Sequence, residues 1–340
     1  RNELGEGAGV RREWFTIIGE QATNLDWPLF ISYDGATVHP HPNIMQLSEK
    51  PSASREYFYA LGKIAGLALY HGEILPIRFS EAFMFAVMRV DNVRFVAELG
   101  CFEGSDRTTL NLQANIETMW SSPDFALRDL FWKLDPEFCE QVEKSVLGAT
   151  AEELEALDLT FTDTFDFTAG QGGIGHVMEH YDLLNNLIKY RAQAPSTKTY
   201  PPGYSTDMEG GADVKVTIEN RFHYVRWLAY NRCFGRCLAE ISEFVSGMIS
   251  IIGSDTLHAI SKLFTPKEFT ELLAGKENIS IKEWRQFTQY DTLDDWHNFS
   301  ESYTVQVFWK SLEISSQKEL MQVLEFATGL KRPPVAGFRN

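Results

Sequence analysis

The run YFYALGKIAGLALYHG, Tyr57 to Gly72, limits most tightly how this chain can fold. Tyr57, Leu61, Ile64, Ala65, Ala68 and Leu69 fall at i, i+3, i+4 and i+7 spacing, which predicts a helix with one apolar stripe. Gly62 and Gly66 interrupt that helix, and each would cost about 1 kcal/mol if it were exposed. Their presence predicts a buried scaffold helix with another helix pressed against its backbone. Everything else has to be arranged around that contact.

At 340 residues, 44% apolar and 13% aromatic, the chain can fill a sizeable core, so two lobes or one large domain with a satellite are expected. Forty-seven acidic against thirty-one basic residues leave a net charge of −16, which argues against binding nucleic acid or an anionic membrane and favours a basic partner. No stretch approaches eighteen consecutive apolar residues, and the opening RNELGEGAGVRREWF lacks the apolar core of a secretion signal. Cys101, Cys139, Cys233 and Cys237 are too scattered for a disulfide framework, so a reducing compartment, cytosol or nucleus, is expected. Cys233 and Cys237 share a helix face with no second ligand pair nearby and read as small core thiols. The ends, RNELGEG and AGFRN, read as those of a piece of something longer.

Along the chain, a helix is expected from Arg11 towards Phe30, ended by Pro28, and ISYDGATV reads as a hairpin turning at Asp34 and Gly35. A second apolar helix covers Phe79 to Val90. Arg94 to Pro123 is polar and mixed and reads as an insertion with a helix around Leu110 to Trp120. Helical periodicity returns at LRDLFWKLDPEFCEQVEKSVLG, and Thr150 caps a short acidic helix. LTFTDTFDF alternates as a strand, with Leu159, Phe161 and Phe165 on one face. A long Pro, Gly and Ser-rich loop lies between Thr168 and Gly211, followed by the short strand VKVTI. A helical run is expected from Asn220 to Ile252, and Thr265 caps another helix with Pro266 at its first position. Phe287 to Asn298 is polar and reads as a connector; two helices, Ser302 to Leu312 and Ser316 to Gly329, follow.

Eight segments in this order, GVRREWF, YFYALGKIAGLALYHG, LDPEF, LDLTF, VTIEN, LFTPKEFTELLAG, TQYD and LEFATGLKRPPVAGF, make the chain resemble the catalytic domain of HECT-type ubiquitin ligases, nearly end to end. The resemblance implies an α+β, predominantly α-helical, bilobal fold. Residues 1–288 would form the N-lobe, with a small sub-lobe at about 125–218 that binds a ubiquitin-conjugating enzyme. Residues 289–298 would be a hinge and 299–340 the start of a truncated C-lobe. It also implies the chemistry: a cysteine thiolate takes ubiquitin from the conjugating enzyme as a thioester and passes it to a substrate lysine. In the family that cysteine follows the GF motif by a few dozen residues, so it is expected beyond Asn340, and no catalytic residue is nominated here. Cys139, in FCEQV, has no basic neighbour in sequence to activate it and reads as packing.

Carried over position by position, the resemblance makes Phe138, Val142, Leu157, Thr160, Tyr224 and Leu228 the partner-binding residues, lining an apolar groove. Asp135, Glu137, Glu140, Glu153 and Glu155 give that groove an acidic setting. The implied partners are the conjugating enzyme, ubiquitin and a protein substrate chosen by regions outside the chain, with no cofactor, nucleic acid or membrane. The chain departs from the family in the extra residues at 94–123 and in the long loop after Phe167, which surround the groove. A recruiting module without the thiol is the second reading.

His176 to His180, HVMEH, fits the inverted zinc-protease pattern, with two histidines at i and i+4 and Glu179 as base. As a zinc metallopeptidase it would need a third ligand from well downstream, where Glu240 or Glu243 could serve only if the fold brought them close, and the motif sits within the apparent insertion. His39 and His41, alternating with prolines, read as surface or packing residues. Neither a nucleophile elbow nor a phosphate-binding glycine loop occurs in the sequence.

Overall fold

In a computed structural model, residues 8–23, 29–41, 51–88, 126–161, 214–290, 302–330, 332, 333, 335, 337 and 338 are described. Helix α1 (Ala8–Ala22) leads to strands β1 (Phe30–Ile31) and β2 (His39–Pro40), then α2 (Pro51–His71) and α3 (Glu81–Val87). After these come α4 (Ala126–Leu134), α5 (Pro136–Val142), a π-helical turn (Glu143–Leu147) and α6 (Ala151–Leu157). Next are α7 (Arg221–Cys233), α8 (Leu238–Ile252), α9 (Ser254–Leu263), α10 (Pro266–Ala274), α11 (Ile281–Phe287), α12 (Tyr303–Glu313) and α13 (Gln317–Thr328). Helices dominate the described residues, with one two-stranded antiparallel sheet, an α+β arrangement that is predominantly α-helical.

Helices α2 and α8 form the spine, packed along much of their length. The glycines explain how close they come. A methyl group at Gly62 would overlap the Phe244 carbonyl, one at Gly247 would overlap the Tyr59 carbonyl, and one at Gly66 would stand 2.9 Å from Ile251 Cβ. Around this spine Phe30, Phe58, Phe79, Phe83 and Phe244 interlock, with ring centres 4.8–6.1 Å apart in tilted and edge-on pairs. Beneath them, His39 is buried and its Nδ1 lies 2.8 Å from Ser80 Oγ, the hydroxyl that caps α3 by accepting from Phe83 N–H.

Three local expectations change. Phe30 pairs with Pro40 and Ile31 with His39, so the hairpin loop is wider than a two-residue turn. Asp34 sets it: its carboxylate accepts from the N–H groups of Ala36 (2.9 Å) and Thr37 (2.7 Å), holding the loop through a side chain instead of a ladder. The run from Asn220 breaks at Phe234, which leaves helical dihedrals (φ −142°, ψ −50°) to bury its ring near Phe85, and Gly235–Cys237 turns as a 3-10 helix. Where a strand was expected at VKVTI, the described residues form an isolated antiparallel bridge, Thr160 to Lys215, and the strand expected after Phe161 lies outside the described residues. Phe165 lies outside the described residues, as do 94–123 and 168–211.

A second, smaller core gathers Ile279, Trp309, Leu312, Leu320 and Leu324. Ile281 and Trp284, before the expected hinge, pack on it, and Trp284 stacks on Phe338 with parallel rings 5.1 Å apart. Gln317 bonds both the N–H and the carbonyl of Ile279, and Trp309 Nε1–H donates to Tyr290 at 2.7 Å. Ile279, Ile281 and Trp284 thus share this core with α12 and α13; residues 291–298 lie outside the described set. Among the described residues no single helix is long and apolar enough to cross a membrane.

Candidate functional site

Leu134–Asp135–Pro136 starts the site. Asp135 caps α5 by accepting from Phe138 N–H at 3.1 Å, and Pro136, lacking an N–H, occupies the first turn where none is needed. That start fixes the direction in which Phe138 and Val142, one turn apart, project. Helix α5 then runs straight into the π-helical turn, whose register is held by Arg128 gripping Glu143 through two bonds of 2.6 and 3.1 Å. The turn contributes Val146, which is buried.

The opposite wall is α7, where Tyr224, Leu228 and Arg232 recur every four residues and so share a face. All three are buried. Tyr224 packs edge-on to Phe161 with ring centres 5.4 Å apart. The floor between the walls is the bridged pair of segments, where Phe161 N–H donates to the Val214 carbonyl and Val216 N–H to the Leu159 carbonyl. Together they enclose a hollow of about 300 Å³.

Five of the six residues expected from the resemblance line this hollow: Phe138, Val142, Thr160, Tyr224 and Leu228. Leu157 does not. It ends α6 at 48% exposure, just before Asp158 turns the chain with φ +48°, and Leu159 takes the lining position. The sequence reading also missed Val146 and Arg232. Val146 continues the four-residue spacing of Phe138 and Val142, so the signal was there in the sequence. Arg232 was hidden because only apolar positions were sought, although it continues the Tyr224 and Leu228 spacing.

The electrostatics are mixed. Glu137 and Glu140 on α5 and Glu153 and Glu155 on α6 are exposed, and Asp135 is half-buried. Burial pushes the Asp135 carboxyl up, against the Phe138 N–H and the nearby Arg232, which pull it down. The Arg232 guanidinium carbon sits 4.0 Å from the centre of the Phe138 ring.

None of the three described cysteines is an activated nucleophile. Burial pushes the Cys139 thiol up to about 12, and it raises Cys233 and Cys237 as well. Cys237 Sγ lies 3.7 Å from His39 Nε2, yet burial holds that imidazole down to about 3, so both partners stay neutral. Among the described residues no group of three or more His, Cys, Asp or Glu is placed to hold a metal ion. His176, His180 and Cys101 lie outside the described residues.

A family model described as HECT-domain (ubiquitin-transferase) matches residues 16–340. The chain belongs to the HECT family. This HECT chain is 27% identical over 341 residues to E3 ubiquitin-protein ligase HACE1 of Xenopus tropicalis, covering 99% of the chain and 28% of that protein. It is 27% identical over 343 residues to HACE1 of Homo sapiens, covering 99% of the chain and 29% of the relative. It is 24% identical over 339 residues to E3 ubiquitin-protein ligase TOM1-like of Neurospora crassa, covering 98% of the chain and 6% of the relative. The chain thus spans less than a third of the length of these relatives. HECT membership makes it part of a family of ubiquitin-protein transferases.

Proposed function

We propose that this HECT chain docks a ubiquitin-conjugating enzyme in the hollow between α5 and α7. In the longer protein, a second lobe carries the cysteine that accepts ubiquitin as a thioester and passes it to a substrate lysine. The observation that carries the reading is the convergence of five residues, drawn from three separated segments, on one hollow. A recess with Phe138, Val142, Val146, Tyr224 and Leu228 in its lining is where a partner's apolar anchor residue gains most from leaving water. The acidic surroundings favour a partner with a basic face.

Titration of the chain with a panel of conjugating enzymes tests this. Phe138→Ala and Tyr224→Ala should weaken binding by about 1 kcal/mol or more, roughly fivefold. Leu157→Ala, outside the hollow, should leave it unchanged. Equal affinity in all three would remove the groove assignment.

The neutral, buried state of the described thiols favours a second reading, in which the chain only recruits the conjugating enzyme. Incubating this chain and the longer protein with activating enzyme, conjugating enzyme and ubiquitin separates the two. A reducible ubiquitin adduct on the longer protein supports transfer, and its absence there leaves recruitment.

A further inference from the structure

A larger cavity, of about 620 Å³, lies between the first half of α1, the end of α2, α10, α11, the end of α13 and the tail that follows it. It shares no lining residue with the α5–α7 hollow, and its volume falls in the range of roughly 300–1,000 Å³ that small-molecule sites occupy. Leu69, Leu272, Trp284, Phe287, Leu330 and Phe338 line it, and all six are half-buried, so each still presents apolar surface. Trp284 and Phe338, stacked with their ring planes 2° apart, give the cavity a flat wall.

One end of the cavity is charged. Arg12 and Glu73 are the ionised residues of its lining, and Arg11 stands beside them. The Glu73 side chain is 10% exposed, and its two oxygens lie 3.9 Å from Arg11 Nη1 and 3.6 Å from Arg12 Nε. Charge-assisted N–H···O bonds close to about 2.7–2.9 Å, so neither contact is drawn tight. Both guanidinium groups reach solvent, which leaves them room to turn towards a ligand.

The charge count selects the ligand. Two guanidinium groups share one carboxylate, so one positive charge is left in excess at that end, and a single negative charge balances it. A doubly charged phosphate overshoots the balance and meets Glu73, while an amine meets the arginines. The net charge of −16 opposes polyanions from afar, but salt screens that field over about 8 Å at physiological strength, and within that distance the arginines decide.

We propose that this cavity is a binding site for a small monocarboxylic acid with an apolar body, its carboxylate taken by Arg11 and Arg12 and its body laid along the Trp284–Phe338 wall. The inference is independent of the docking reading above.

The test is calorimetric titration of the full-length protein with straight-chain acids from hexanoic to dodecanoic, kept below their micelle concentrations, and with the alcohols and amines of matching length. Each added methylene should tighten binding about three- to fourfold until the cavity is full. An acid should bind about tenfold or more tightly than its alcohol. Replacing both arginines, Arg11→Gln with Arg12→Gln, should erase that preference and leave the alcohol's affinity unchanged. A photoreactive diazirine analogue of the tightest acid should label peptides that contain Trp284 or Leu330. Equal affinity for acid and alcohol, an amine that binds best, no saturable binding of any acid, or labelling confined to other peptides overturns the proposal, whether or not the arginine variants fold.

Discussion

The α2–α8 spine and the α5–α7 groove are both built from helices facing one another, and they solve opposite problems. In the spine, glycines replace side chains so completely that backbone touches backbone and no space is left. In the groove, large side chains hold the helices apart and leave about 300 Å³ unfilled. A protein interior normally closes such a space, because unfilled volume forfeits contacts. The spine shows that this chain can pack without voids. The α5–α7 hollow is, by contrast, a place where packing is incomplete.

The largest expected effect comes from breaking the spine. Gly62→Ala or Gly247→Ala places a methyl group on a carbonyl of the facing helix, and only separation of the helices relieves it. Loss of more than about 4 kcal/mol is expected, read as a lowered denaturation midpoint or failure to fold. A loss under 1 kcal/mol would mean that the spine is looser than its geometry. Phe138→Ala should behave differently. Its ring is half-buried at the groove, so folding should lose about 1–2 kcal/mol, while conjugating-enzyme binding falls about fivefold or more. A variant that lost stability and kept its binding would erase the distinction between the two regions.

The spine was legible in the sequence because its cause is local. Gly62 and Gly66 within an apolar stripe have one economical explanation, and the partner helix then had to be another long apolar segment. The caps at Thr150 and Thr265 were legible for the same reason, since each hydroxyl bonds the backbone three residues on. The groove was half legible. Motif order located five lining residues and Val146 continues the spacing of Phe138 and Val142, but the αL turn at Asp158 that puts Leu159 in place of Leu157 is a backbone event that side-chain spacing does not report.

A smaller effect sharpens the comparison through pH. His39 is fully buried beneath the spine, and burial holds its imidazole down to about 3, with a backbone bond at Arg232 opposing the shift. In the unfolded chain the same group titrates near its ordinary value of 6.5. Between those values the unfolded state binds a proton that the folded state refuses. The stability contributed by neutral His39 is therefore complete above pH 6.5, is lost as pH falls, and levels off below about 3. His39 should account for up to about 1.4 kcal/mol per pH unit within that window. Chemical denaturation of wild type and His39→Asn between pH 7 and pH 4 should show the shallower slope in the variant. Parallel slopes would place His39 in water, against the packing around Ser80.

The smallest effect belongs to the most conspicuous ion pair near the groove. Lys215 Nζ lies 2.7 Å from an Asp158 carboxylate oxygen, a distance that by itself would suggest a clamp between α6 and the bridged segment. Both side chains, however, are about 70% exposed. Water and salt screen the attraction, and two long-range partners must be ordered to keep it. The Asp158 turn has other support, since the backbone bonds between Leu159 and Val216 and between Phe161 and Val214 tie the same segments without any side chain. Lys215→Ala should leave the denaturation midpoint and its salt dependence unchanged within error. Conjugating-enzyme affinity should hold as well, because Lys215 does not line the α5–α7 hollow. A midpoint that dropped in low salt and recovered in high salt would show instead that the groove's floor is held by charge, and its shape would then vary with ionic strength in a way that the spine's cannot.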